Sequence, residues 1–238
     1  MAIFLNKIAL TVPPDAPGQY PFNVASLQAG CSIDVASPFL VLAGENGAGK
    51  STLLAAIAQA SGFNASGGNQ HHTFGDESHS PLVDMLTLGW SQKVRRGFYL
   101  RADRLADFQR YLDGISADDA SIFNGYGGTR LSEQSHGEGI FALYQHHFSN
   151  GVFFLDEPET ALSFTRQLAL VSTMNHLVEN HDAQFVLATH SPVLMSIPDA
   201  QLIYLDDTGT HQRAFADTEL FKTARLFYEA PERFHQHL

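Results

Sequence analysis

Cysteine is nearly absent: Cys31 is the only one in 238 residues. A single thiol excludes an internal disulfide and suits a reducing compartment. Long apolar runs are missing too. No stretch approaches the ~20 residues needed to cross a bilayer as a helix. The start, Met1 to Lys7, lacks a basic region leading into a long apolar core, so no signal peptide is expected. These absences together predict a cytoplasmic protein with no membrane span. Positive charge is scarce: 14 Lys and Arg stand against 25 Asp and Glu, a formal net charge of −11. Such a chain shows no electrostatic footprint for a nucleic-acid backbone. Lys93, Arg95 and Arg96 cluster, but three bases beside a strand read as a solvated edge. No internal repeat or heptad pattern is visible.

What is present describes an ordinary globular protein, with 44% hydrophobic and 16% charged residues. The length suits one domain, with room for a subdomain. One loop organises the rest. Gly44-Glu45-Asn46-Gly47-Ala48-Gly49-Lys50-Ser51-Thr52 fits G-x-x-x-x-G-K-[ST] at every fixed position. An apolar run, Phe39–Ala43, precedes it and reads as a buried strand. Leu53–Ala60 follows and reads as a helix. Strand, glycine loop and helix make this motif a phosphate site. The glycines let backbone N–H groups turn inward around a polyphosphate, and the helix N-terminus adds partial positive charge. Lys50 can reach the β- and γ-phosphates, and the Ser51 hydroxyl can ligate Mg²⁺.

Elsewhere, apolar runs alternate with helical periods. Strands are expected over residues 3–11, 32–35, 97–100, 151–156, 185–188 and 202–205. A helix over about 163–180 carries Phe164, Leu168, Val171 and Met174 in near-period four. Another, capped by Asp103, carries Leu105, Phe108, Tyr111 and Leu112. Residues 137–147 look helical, with Ile140, Phe141 and Tyr144 on one face. Two helices close the chain after Leu220. Residues 61–80 and 113–128 read as loops. The pairs His71-His72 and His146-His147 lack ligands at metal spacing and read as solvated. The alternation predicts an α/β fold with a parallel sheet, whose ligand sits at the carboxyl ends of the strands.

Three strand ends carry chemistry. One is the phosphate loop. A second is Asp156-Glu157: Asp156 can hold Mg²⁺ opposite Ser51, and Glu157 can polarise a water for attack on the γ-phosphate. The third is His190, which can donate a hydrogen bond to the γ-phosphate or the water.

These motifs resemble the ABC-type ATPase superfamily, in particular its soluble stand-alone branch related to SMC- and RecF-type proteins. Gly44–Thr52 looks like the Walker A motif, Val152–Glu157 like Walker B with its catalytic glutamate, and His190 like the switch histidine. Thr160–Ser163 looks like the D-loop, with Ser163 where transporters usually carry Asp. Gln134-Ser135-His136-Gly137-Glu138 is the nearest match to the signature motif. The resemblance implies a P-loop NTPase fold: a mostly parallel sheet flanked by helices, an N-terminal antiparallel β portion, and a small helical subdomain. It implies a single domain over 1–238 with that subdomain at about 62–150. It also implies ATP and Mg²⁺ as ligands. Ser135 and Gly137 of one protomer would face the nucleotide of another, so that ATP drives a homodimer with split active sites. An adenine-stacking aromatic is expected upstream of the loop, with Tyr20 and Phe22 as candidates. No glutamine follows the strand at 97–100. Either Arg101 or Asp103 substitutes for it, or coupling to a protein partner works differently. Two alternatives stay open: an energy-coupling subunit of a membrane transporter, and an ATPase of DNA maintenance. A P-loop kinase fits less well, because Asp156, Glu157 and His190 suit water as the acceptor.

Overall fold

The apolar runs of the sequence become parallel strands because each is covered on both faces. The computed structural model describes residues 1–16, 18–69, 79–94, 96–104, 106–107, 110–111, 150–160 and 162–235. In the larger sheet the strand order is β5 (Gly97–Arg101), β6 (Gly151–Asp156), β7 (Ala183–Ala188), β3 (Phe39–Gly44), β8 (Gln201–Asp206) and β9 (Gly209–Gln212). The first five run parallel, and β9 returns antiparallel to β8. A smaller antiparallel sheet joins β2 (Cys31–Asp34), β1 (Leu5–Leu10) and β4 (Leu86–Trp90). The expected mostly parallel sheet with an antiparallel portion is therefore present.

Alternation along each strand divides the core in two. Phe39, Val41, Phe153, Leu155 and Phe185 point to the face covered by α3 (Phe164–Asn180) and α4 (Pro192–Met195). Leu40, Leu42, Phe154 and Val186 point to the other face, packed by α2 (Lys50–Ala60) and the smaller sheet. Two buried glutamines join the sheets. Gln184 Oε1 accepts the N–H groups of Phe4 and Leu5 at 3.0 and 2.9 Å, and its Nε2 donates to the Leu5 carbonyl. Gln201 does the same for Ala36 and Asp34. Each satisfies backbone groups that burial would otherwise leave without partners. A short α1 (Ala25–Gln28) lies before β2, and α5 (Glu219–Glu229) and α6 (Pro231–His235) close the chain. No described helix is long and apolar enough to cross a membrane.

The structure departs from expectation at several elements. Strand β4 was not anticipated, since its half-buried residues give little hydrophobic contrast. Nor was β9, whose sequence Gly-Thr-His-Gln contains no apolar side chain. The helix expected at 163–180 forms, but its buried residues are Leu170, Met174, Leu177 and Val178. Phe164 and Leu168 are exposed, at 66% and 49%. The chain offers two apolar stripes there, and periodicity alone does not say which one meets the sheet. Arg95, Leu105, Phe108, Leu112, Ala161, both expected histidine pairs, the expected helix at 137–147 and the signature-like segment with Ser135 and Gly137 lie outside the described residues.

Candidate functional site

Strand β3 ends at Gly44, and the glycine loop turns the chain into α2. Gly47 and Gly49 have φ of 81° and 90°, a region in which a side chain is strained. At Gly49 there is also no room: a Cβ would lie 2.7 Å from Val24 Cγ1. The segment behind the loop is α1, where the Ser26 hydroxyl donates to the Ala48 carbonyl. Glu45, Asn46 and Gly47 are exposed, while Ala48, Gly49, Ser51 and Thr52 are half-buried. Lys50 is only 3% exposed. Its Nζ donates to the Gly44 and Glu45 carbonyls at 3.0 and 2.9 Å. Burial lowers its pKa, and the acids Glu157, Asp156, Glu159 and Glu45 pull it back up.

The other strand ends meet the loop because β7 lies between β6 and β3. Asp156 ends β6 and is 8% exposed. Burial raises its pKa to about 6, against the lowering effect of a hydrogen bond with Ser51. Its Oδ1 is buried with no hydrogen-bond partner. A buried carboxylate oxygen without a partner is costly. An oxygen-only donor pair, Asp156 and Ser51, with one such oxygen spare, fits a magnesium ion.

Glu157 sits in the left-handed region at φ 48°, and its N–H donates to the Ala188 carbonyl at 2.8 Å. The bond ties the turn after β6 to the end of β7. That tie brings the Glu157 carboxylate beside His190, with Oε1 3.6 Å from Nε2. Both side chains are partly exposed, open to a substrate and a water. Lys50, Ser51, Asp156, Glu157 and His190 thus lie along one edge of one sheet.

Sequence reasoning missed Glu159. One oxygen, Oε1, accepts the Thr189 hydroxyl at 2.7 Å and the N–H groups of His190 and Ser191 at 2.7 and 3.1 Å. The acid spacing Asp156, Glu157, Glu159 was the available signal. Its partners, 30 to 32 residues away, gave none.

Among the aromatics, Phe22 is 9% exposed and packs in the core behind the loop, whereas Tyr20 is 66% exposed. The Tyr20 hydroxyl bonds Thr52 Oγ1 at 2.9 Å. A cavity of about 330 Å³ opens beside the loop, lined by Ser51, Thr52 and Gln59 of α2 and by Tyr99, Arg101 and Asp156 of the strands. Register pairs Arg101 with Asp156. Its guanidinium grips Asp103 through two bonds, at 3.1 and 2.8 Å, and donates to the Ala65 carbonyl. Burial works against the Arg101 charge, but Asp103, Tyr99 and Asp156 outweigh it and raise its pKa.

A phosphate loop on a parallel sheet, with acids ending the strand two positions away, defines a P-loop NTPase. Comparison with known proteins narrows the class. A family model described as "AAA domain" matches residues 22–116. A second, described as "AAA domain, putative AbiEii toxin, Type IV TA system", matches residues 122–196. No curated protein matches the sequence. Among solved structures, "An inward-facing conformation of a putative metal-chelate type ABC transporter" superposes with a TM-score of 0.52 at 14% identity, covering 93% of this chain and 88% of that one. The SMC head domain from Thermotoga maritima gives a TM-score of 0.44 at 16% identity, covering 89% and 99%. Likeness at this identity concerns the fold. Two AAA-domain models over separate parts of the chain and the fold of a P-loop NTPase are in keeping with the resemblance that the motifs carry.

Proposed function

We propose that the protein binds Mg-ATP at this sheet edge and hydrolyses it to ADP and phosphate. The observation that carries the reading is the meeting of Lys50, Ser51, Asp156, Glu157 and His190 on three strand ends, with Glu157 and His190 within 3.6 Å. Loop N–H groups and the α2 N-terminus hold the phosphate chain. Lys50 leaves its carbonyl partners and meets the terminal phosphates. Ser51 and Asp156 would hold magnesium, which when bound would neutralise charge on the phosphate oxygens. Glu157 aims a water at the γ-phosphorus and accepts its proton, and His190 donates to a γ-phosphate oxygen. Tyr20, exposed and tied to Thr52, is a better candidate for stacking on adenine than Phe22, which packs in the core. Lys50→Ala is expected to weaken ATP binding at least ~10-fold, because a buried charge-assisted contact is lost. Unchanged affinity in a titration would refute the reading.

The second half of the proposal is an ATP-driven homodimer, cytoplasmic, of the stand-alone branch. Its support is the sequence of Ser135 and Gly137 together with the family. Glu157→Gln should accumulate as a dimer in Mg-ATP, read by light scattering. A variant that binds ATP and stays monomeric would remove this half and leave the hydrolysis site standing.

A further inference from the structure

We propose that Glu159 is a positioning residue: its carboxylate sets the 189–191 turn and so holds the His190 imidazole against Glu157 and the γ-phosphate. This inference rests on the hydrolysis reading above. Thr189, His190 and Ser191 are consecutive, and each gives one donor to Glu159 Oε1, at 2.7, 2.7 and 3.1 Å, the Ser191 N–H being shared with Thr189 Oγ1 at 2.9 Å. Three bonds on one atom fix the backbone on both sides of the Cα that carries the imidazole. Thr189 is fully buried and Ser191 is 5% exposed, so water is a poor replacement acceptor there.

The clamp extends one step further. The Ser191 hydroxyl accepts the N–H groups of Val193 and Leu194, capping α4, and donates to Gln167 Oε1 at 2.6 Å. Gln167 Nε2 in turn donates to the Leu162 carbonyl at 3.0 Å. The turn after β6, the first turns of α3 and the turn after β7 therefore close into one ring of hydrogen bonds. Glu159 is the member that touches His190. Oε1 is used up by the turn, and Oε2 is buried with no hydrogen-bond partner. The effect of Glu159 on the reaction passes through the histidine.

Reach and charge can be separated by two conservative variants. Glu159→Asp keeps the charge and withdraws the oxygen by one methylene. Glu159→Gln keeps the reach and drops the charge. Positioning predicts that Glu159→Asp lowers kcat roughly 10- to 100-fold, since a displacement of ~1 Å can cost ~100-fold. ATP affinity should stay within about twofold, because Lys50 and the loop are untouched. Glu159→Gln should keep kcat within about fivefold of the parent. Amide exchange at His190 and Ser191 should speed up in Glu159→Asp and stay slow in Glu159→Gln. The double variant Glu159→Asp/His190→Ala should be no slower than His190→Ala alone, as expected of residues that act as a unit.

The reverse order, with the glutamine variant slow and the aspartate variant fast, would overturn the proposal in favour of a charge effect. Parental rates and parental exchange in both variants would overturn it as well. So would additive losses in the double variant. If the parent itself proves unable to hydrolyse ATP, the hydrolysis reading fails separately. The clamp is then judged by exchange alone: parental protection of both amides in Glu159→Asp contradicts it.

Discussion

The ends of β5 and β6 lie side by side and face the same cavity, yet they are built differently. At the end of β5 each nitrogen of the Arg101 guanidinium has a protein partner, with two bonds to Asp103 and one to the Ala65 carbonyl. At the end of β6 the Asp156 carboxylate is buried, pushed up to about 6, and has an oxygen with no partner. The Arg101 guanidinium is held by protein partners alone. The second end has a buried oxygen that a bound cation would use. Natural folds rarely leave a buried polar atom unpaired, and the exceptions cluster where a ligand or reaction completes them. The contrast assigns Arg101 to the frame of the site and Asp156 to its working part.

Substitutions break or sharpen this contrast. The largest effect is expected at Asp156. Asp156→Asn should lower Mg²⁺ affinity of the ATP-bound protein roughly 100-fold, the upper end of losses seen when a metal site is disturbed. Isothermal titration with Mg²⁺ at fixed ATP measures it. The same variant should be more stable than the parent without ligand at pH 8. The sign follows from the pKa. The folded value of about 6 lies above the ordinary 3.8, so the folded protein holds this proton more tightly than the unfolded chain. That contribution is complete below 3.8 and is lost as pH rises through about 6. At pH 8 the parent bears the full penalty, on the order of 2–3 kcal/mol for a shift of that size. Denaturant unfolding should show the gain at pH 8 and its disappearance at pH 4. Metal affinity of the parent should rise with pH through the same window, because only the ionised carboxylate ligates.

A smaller effect is expected at the end of β5. Arg101→Ala removes a partly exposed ion pair and one backbone contact, worth about 1 kcal/mol of stability. ATP affinity should change by less than about threefold. A larger loss of nucleotide affinity would show that Arg101 belongs to the working part and would undo the contrast.

The features that the sequence revealed are local ones. The loop from Gly44 to Thr52 is contiguous, so its turn and its charges are written in adjacent residues. Asp156 and Glu157 directly follow one run buried on both faces and Thr189-His190 follow another, and parallel strands place such ends together. What escaped notice is non-local. Glu159 gains its meaning from Thr189 to Ser191, across the sheet edge. Ser26 braces the loop from a four-residue helix with no periodic signal. Gln184 and Gln201 look like polar interruptions at the starts of strands until the smaller sheet lies against them. Phe22 and Tyr20 stand two residues apart and looked equivalent, but one faces the core and the other faces solvent.

In the proposed reaction Glu157 directs water at an ATP held by the neighbouring loop. Phosphate release from Mg-ATP, compared between the parent and Glu157→Gln at matched nucleotide occupancy, tests it most directly. The account predicts turnover in the parent, a loss of roughly 100-fold or more in the variant, in the range of general-base catalysis, and ATP affinity that is unchanged or tighter. Equal rates in the two proteins would contradict it.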